Sequence, residues 1–149
     1  MDTREPHRVS RRSANLSDVD WLIWLRQITM GPHLENSGKP LTFEEDTAKV
    51  MENFAQIEIL AIGDEDIGMV KLLKDRFEWT LVQIQLIPEF QGRGVGKQLL
   101  GDILECARYA SAAINLRVLR VNPAKRLYER LGFKVIAEND WSFEMRYGA

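Results

Sequence analysis

The chain has 149 residues, 45% of them hydrophobic and 28% charged, with a formal net charge of −2. That is the profile of one globular domain over 1–149, with enough apolar side chains to bury a core. The balance of charge argues against nucleic-acid or acidic-membrane partners, and one cysteine rules out an internal disulfide and points to a reducing, cytoplasmic setting.

Arg4, His7, Arg8, Arg11 and Arg12 make the start of the chain locally basic, which reads as a solvated first strand over about Val9 to Ala14. Ser17 with Asp20 offers a capping box. Trp21, Trp24, Leu25 and Ile28 follow at helical spacing, and Gly31-Pro32 is expected to end that helix. His33 to Pro40 reads as loop. Thr42 with Glu45 is a second capping box, ahead of an apolar stripe of Phe43, Thr47, Val50, Met51 and Phe54.

The period then changes to that of strands. Gln56 to Ile62, Ile67 to Leu73 and Glu78 to Ile87 are separated by the turns at Gly63-Asp64-Glu65-Asp66 and Lys74-Asp75-Arg76, which predicts an antiparallel meander. A helix from about Gly94 to Tyr109 carries Val95, Leu99, Leu100, Ile103, Leu104 and Ala107 on one face. Cys106 falls within it and reads as a small core residue rather than a nucleophile. Ile114, Leu116 and Val118 alternate as a short strand. Asn122 and Pro123 then open a helix that Gly132 stops, and two strands close the chain, over Phe133 to Ala137 and Trp141 to Tyr147. The order β-α-α-β-β-β-α-β-α-β-β describes an α+β fold with a mixed, mostly antiparallel central sheet flanked by four helices. No apolar run reaches membrane-spanning length, no apolar signal core stands at the N-terminus, and His7 and His33 show no metal-site spacing.

The sharpest local signal lies between the strand that includes Ile84, Gln85 and Leu86 and the following helix: Gln91-Gly92-Arg93-Gly94-Val95-Gly96-Lys97. A helix start offers unpaired N–H groups and a partial positive charge, which suit a phosphate. Glycines at alternate positions let the backbone approach it, and Arg93 and Lys97 add positive charge. Neither common nucleotide motif fits. A P-loop needs Ser or Thr after the lysine, where Gln98 stands, and a dinucleotide fingerprint read from Gly94 needs glycine where Leu99 stands.

The spacing of Gln91, Gly94 and Gly96 resembles the acyl-CoA signature of the GNAT superfamily of N-acetyltransferases. The block Val121-Asn122-Pro123-Ala124-Lys125-Arg126-Leu127-Tyr128-Glu129-Arg130-Leu131-Gly132-Phe133 is similar to a second segment of that family. With the order of elements, the resemblance covers essentially the whole chain. It implies an enzyme that moves an acetyl group from acetyl-CoA to a primary amine by direct attack in a ternary complex, without a metal. Gln91, Gly92, Arg93, Gly94, Val95, Gly96 and Lys97 would hold the pyrophosphate. Ile84, Gln85 and Leu86 would pair with the pantetheine arm where their strand splays from the next, and Asn122, Ala124 and Tyr128 would complete the CoA site.

Tyr128 is the implied general acid for the departing thiol. The family's frequent glutamate base falls at Thr80, so Glu78, two residues earlier on the same strand face, is the substitute candidate. Gln83 and Gln85 lie on the opposite face. The acceptor, a small-molecule amine or a peptide or protein amine, would meet the first two helices around Trp24, His33 and Glu35. The family also implies a homodimer as an expectation. The competing reading is a CoA-binding sensor or partner-binding module, which the absent glutamate at Thr80 favours and the retained Tyr128 disfavours.

Overall fold

A computed structural model describes residues 8–36 and 42–148, with backbone alone for 31–36. Strand β1 is Ser10–Ser13, and helices α1, Val19–Asn36, and α2, Phe43–Met51, follow. Strands β2, Ile57–Ile62, β3, Glu65–Asp75, and β4, Glu78–Leu86, lead into α3, Val95–Tyr109. Strand β5 is Ala113–Leu119 and helix α4 is Ala124–Leu131. Strands β6, Lys134–Glu138, and β7, Ser142–Tyr147, close the described chain. The seven strands form one sheet in the order β1-β2-β3-β4-β5-β7-β6. The β1–β2, β2–β3, β5–β7 and β6–β7 pairs are antiparallel, and β4–β5 is parallel. A parallel pair needs a crossover, and α3 supplies it. The expected mixed α+β fold is present.

Contacts divide the chain into two interleaved units, residues 1–71 with 83–96 and residues 72–82 with 97–149. In the first, Leu22 and Leu25 of α1 are buried, as are Ile57, Ile59 and Leu60 of β2 and Ile67 and Val70 of β3. The apolar stripe of α1 is therefore rotated from the expected one: Leu22, Ile23, Leu25 and Arg26 are buried, while Trp24 is nearly half exposed and packs 6.3 Å from Trp21. The helix begins from a different cap as well. Asn15 and Asp18 form the capping box of a 3₁₀ turn, Leu16–Asp18, that runs into α1. Arg12 anchors that turn through two hydrogen bonds to Asp18 and a third to Asp66. Helical backbone continues through Gly31-Pro32 to Asn36, because an interior proline forfeits one hydrogen bond without obliging the helix to stop. The loop expected from His33 is thus helical as far as Asn36, and its remainder lies outside the described residues. The Thr42–Glu45 capping box of α2 is present. Its expected stripe is kept only in part: Val50 is buried, but Phe43 and Met51 are exposed, and Asp46 is buried instead.

Strand β3 carries one extra residue against β2: Leu60 pairs with Gly68 and Ala61 with Asp66. The extra residue, Ile67, turns its carbonyl to accept a 2.8 Å hydrogen bond from the Ile87 N–H. A Cβ at Gly68 would lie 2.2 Å from the Gln85 carbonyl oxygen, so glycine is what lets these backbones approach.

In the second unit, β5 contributes Ile114, Leu116 and Val118 to a core that includes Leu99, Leu100, Ile103, Leu104 and Ala107 of α3, and Met145 of β7. The α3 stripe is the expected one, but Cys106 is exposed. It sits beside the buried Ala107, one position off the stripe. The Asn122 side chain accepts a 2.9 Å hydrogen bond from the Ala124 N–H at the start of α4, and Gly132, at φ 108°, ends that helix. Among the described residues no helix is long and apolar enough to cross a membrane.

Candidate functional site

Three arrangements bear on chemistry, two in the first unit and one in the second. The first is the turn before α3. Gln91 folds back so that its Nε2 donates a 2.9 Å hydrogen bond to the Leu86 carbonyl, which fixes the turn to the end of β4. Gly92 and Gly94 take φ of +73° and +82°, conformations that side-chain-bearing residues resist. Nothing lies within 4 Å of where a Cβ would stand on either, so the turn opens onto free space. Val95 is buried and pins the first helical turn, while the guanidinium of the exposed Arg93 rests 5.4 Å from the Phe90 ring. The N–H groups of that first turn have no acceptor within the helix. The result is an exposed, positively polarised cradle with no side chain in the way. Leu86 supports it from behind, with its Cδ1 3.8 Å from the Cβ position of Gly96. Lys97, the next residue along α3, is exposed.

The second arrangement is a pocket lined by Arg26 of α1, Lys49 of α2, Lys71 of β3, and Gln83 and Gln85 of β4, with Leu22 among its apolar walls. Arg26 is buried and its Nε donates to Asp46 Oδ1 at 2.9 Å. The buried Lys71 ammonium donates to the Lys49 and Glu52 carbonyls, and burial pulls its pKa down from the ordinary lysine value. Gln85 Nε2 donates to Gln83 Oε1 at 3.2 Å. These two glutamines therefore line the same small depression, with room for about one water, and Ile84, between them in sequence, faces the other way. Neither Arg26 nor Lys71 stands out in the sequence as functional. The available signal was an arginine on the apolar stripe of one helix and an aspartate four residues before the buried Val50 of the next.

The third arrangement, in the second unit, holds Tyr128 and Glu78. The Tyr128 ring is buried and packs edge-on against Phe133 at 5.6 Å. Its hydroxyl has no hydrogen-bond partner among the described residues. None of their buried side-chain polar atoms lacks a partner, so the phenolic oxygen is the tip that reaches the surface. Burial pushes the phenol pKa up to about 12. Glu78 is gripped by Arg146, with Nη1 and Nη2 donating at 2.7 and 2.8 Å, and by Asn115 Nδ2 at 3.0 Å. Those hydrogen bonds hold its carboxyl at about 2. A carboxylate so stabilised is a poor proton acceptor at neutral pH, which weighs against the base role expected for Glu78. Thr80 is exposed and has no basic group to offer. The β4–β5 ladder runs from Glu78↔Ala113 to Leu81↔Leu116. His33 and Glu35 lie on the described backbone of α1, but their side chains are outside the described residues.

Comparison with known proteins decides the family. A family model described as an acetyltransferase (GNAT) domain matches residues 54–135, more than half of the chain. The chain belongs to the GNAT acetyltransferase family. A curated relative of this GNAT protein, the [ribosomal protein bS18]-alanine N-acetyltransferase of Haemophilus influenzae, is 37% identical over 60 residues, which is 40% of this chain. The match spans about two-fifths of that relative's length, 41%. Among solved structures, the PaiA N-acetyltransferase from Thermoplasma acidophilum, in complex with coenzyme A, superposes with a TM-score of 0.74 at 17% identity, covering 95% of this chain and 99% of that one. The ribosomal-protein-S18-alanine N-acetyltransferase from Escherichia coli does so with a TM-score of 0.69 at 19% identity, covering 93% and 92%. Both likenesses establish the fold.

The cradle fits the carrier that this GNAT fold implies. Coenzyme A carries a pyrophosphate, and the turn presents first-turn N–H groups, an arginine and two positive-φ glycines with open space above them. Among the described residues no group of three or more His, Cys, Asp or Glu could hold a metal ion.

Proposed function

We propose that the chain transfers an acetyl group from acetyl-CoA to a primary amine, by direct attack while both substrates are bound. The observation that carries this reading is the turn Gln91–Gly96, whose positive-φ glycines leave the helix N–H groups open to a pyrophosphate. The bound thioester supplies an electrophilic acetyl carbon. Gly92 to Lys97 bind its phosphates, and Ile84 to Leu86 orient its pantetheine arm through backbone groups. Asn122 and Ala124 sit at the start of α4, where the Asn122 carbonyl oxygen already serves the Ala124 N–H. That leaves the Asn122 amide N–H₂ as the group for the arm.

Tyr128 Oη donates a hydrogen bond to the sulfur as the carbon–sulfur bond breaks. With the phenol at about 12 and a free thiol near 8.5, complete proton transfer to sulfur is uphill. The role that fits best is therefore stabilisation of the developing negative charge by a largely retained proton. The amine loses its proton to water. The acceptor is a small-molecule amine or a peptide N-terminus, and the bS18-alanine acetyltransferase relative supports the latter.

A second reading, a CoA-binding sensor, draws support from the tied Glu78 and from Thr80 at the usual base position. Titration calorimetry with acetyl-CoA, followed by thiol release over a panel of amines and peptides, separates the readings. Binding with turnover supports the enzyme and binding without turnover supports the sensor. Folded protein that takes up no acetyl-CoA sinks both.

A further inference from the structure

We infer that β6 is the contact through which two copies of this chain associate, edge to edge and antiparallel about a two-fold axis at Ile136. The inference is independent of the acetyltransferase reading.

β6 is the last strand in the order of the sheet, so one of its sides has no neighbouring strand. All five of its residues, Lys134-Val135-Ile136-Ala137-Glu138, are exposed. A bare strand edge invites another strand, and proteins commonly guard it with charge, proline or a cover. The opposite edge of this sheet is guarded by charge, since β1 is Ser10-Arg11-Arg12-Ser13. The middle of β6 is Val135-Ile136-Ala137 instead. A bulge against β7 leaves Ile136 as the extra residue, unpaired across the ladder and 58% exposed.

The charges identify the strand that fits. Lys134 makes no hydrogen bond or ion pair among the described residues, and it stands across the ladder from a like charge, Arg146. Glu138 accepts from Arg120 Nη2 at 2.6 Å through Oε1, and its Oε2 has no hydrogen-bond partner among the described residues. In an antiparallel pair the residues two before and two after the axis face each other, so Lys134 of each copy meets Glu138 of the other. Val135 falls opposite Ala137, and Ile136 opposite itself. The edge is thus self-complementary, as a two-fold contact between identical chains requires. In-register parallel pairing would set Lys134 beside Lys134. Five residues make a short contact, so the association is weak and depends on concentration.

Sedimentation equilibrium on the full chain over a concentration series reads this association, with reductant present to keep Cys106 from cross-linking. A monomer–dimer equilibrium is expected. Lys134→Glu and Glu138→Lys should each weaken it about tenfold, because each change sets like charges opposite one another twice. The double variant should recover it, and the two single variants, when mixed, should pair with each other more tightly than either pairs with itself. Ile136→Lys should abolish association in protein whose circular dichroism is unchanged. A chain that stays monomeric at every concentration overturns the proposal. So does a dimer that survives Ile136→Lys, or one indifferent to Lys134→Glu, which removes no hydrogen bond or ion pair among the described residues.

Discussion

Replacing Gly68 with alanine tests whether β3 and β4 are held at the separation described above. The new methyl would stand 2.2 Å from the Gln85 carbonyl oxygen, whereas ordinary contact begins at 3.4 Å. It would also stand 2.9 Å from Leu86 Cδ2, which can rotate away, but a strand carbonyl cannot. β4 must therefore shift by more than an ångström, and the adjoining 2.8 Å bond from Ile87 N–H to the Ile67 carbonyl is the first to suffer. Overpacking of this kind costs about 1–3 kcal/mol and a lost backbone hydrogen bond about 1 more, so a loss of about 2–4 kcal/mol is expected. For a domain of this size that lowers the thermal midpoint by roughly 10 °C. Urea denaturation gives the stability, and acetyl-CoA calorimetry on the folded variant gives the functional effect, an affinity weakened at least tenfold because Gln85 and Leu86 have moved. Gly101→Ala is the control. It sits inside α3 with nothing within 4 Å of the new methyl, and it should gain up to about 1 kcal/mol. A Gly68→Ala protein with unchanged midpoint and unchanged CoA affinity would refute the reasoning.

Gly94→Ala poses the opposite problem, open space but φ +82°, so it should cost about 1–2 kcal/mol of backbone strain and weaken acetyl-CoA binding about tenfold, as read by calorimetry. Tyr128→Phe should lower turnover roughly a hundredfold with little change in acetyl-CoA affinity, and steady-state kinetics showing unchanged turnover would remove Tyr128 from the chemistry. Glu78 has a folded pKa of about 2, below its unfolded value, so its contribution to stability is complete above the ordinary carboxylate range and drains away as pH falls toward 2. In Arg146→Met its carboxyl should titrate closer to 4.5, the ordinary value, and carbon-detected NMR of that carboxyl checks the shift.

Features written in local chemistry were the ones legible in the sequence. The Gln91–Gly96 turn could be read because a helix start and positive-φ glycines need no distant partner, and the Thr42–Glu45 box because it closes within one turn. The sequence marks the start of α1 at Ser17 with Asp20, but the box that forms is Asn15 with Asp18, which Arg12, reaching across from β1, holds in place. Long-range pairing left little trace. Arg26 and Asp46 are 20 residues apart and read as surface charges until α1 and α2 meet. Glu78 looked available because its partners Asn115 and Arg146 are 37 and 68 residues away. Gly68 carries no motif, since only its distance from β4 makes it indispensable.

The outward-facing thiol at Cys106 gives this chain a practical asset. With no second sulfhydryl to compete, a maleimide dye would attach at one place, about three turns down the helix whose first turn forms the anion cradle. Fluorescence from that single reporter could follow ligand arrival in real time. The same thiol would couple two molecules under air, so apparent self-association must be measured with reductant present.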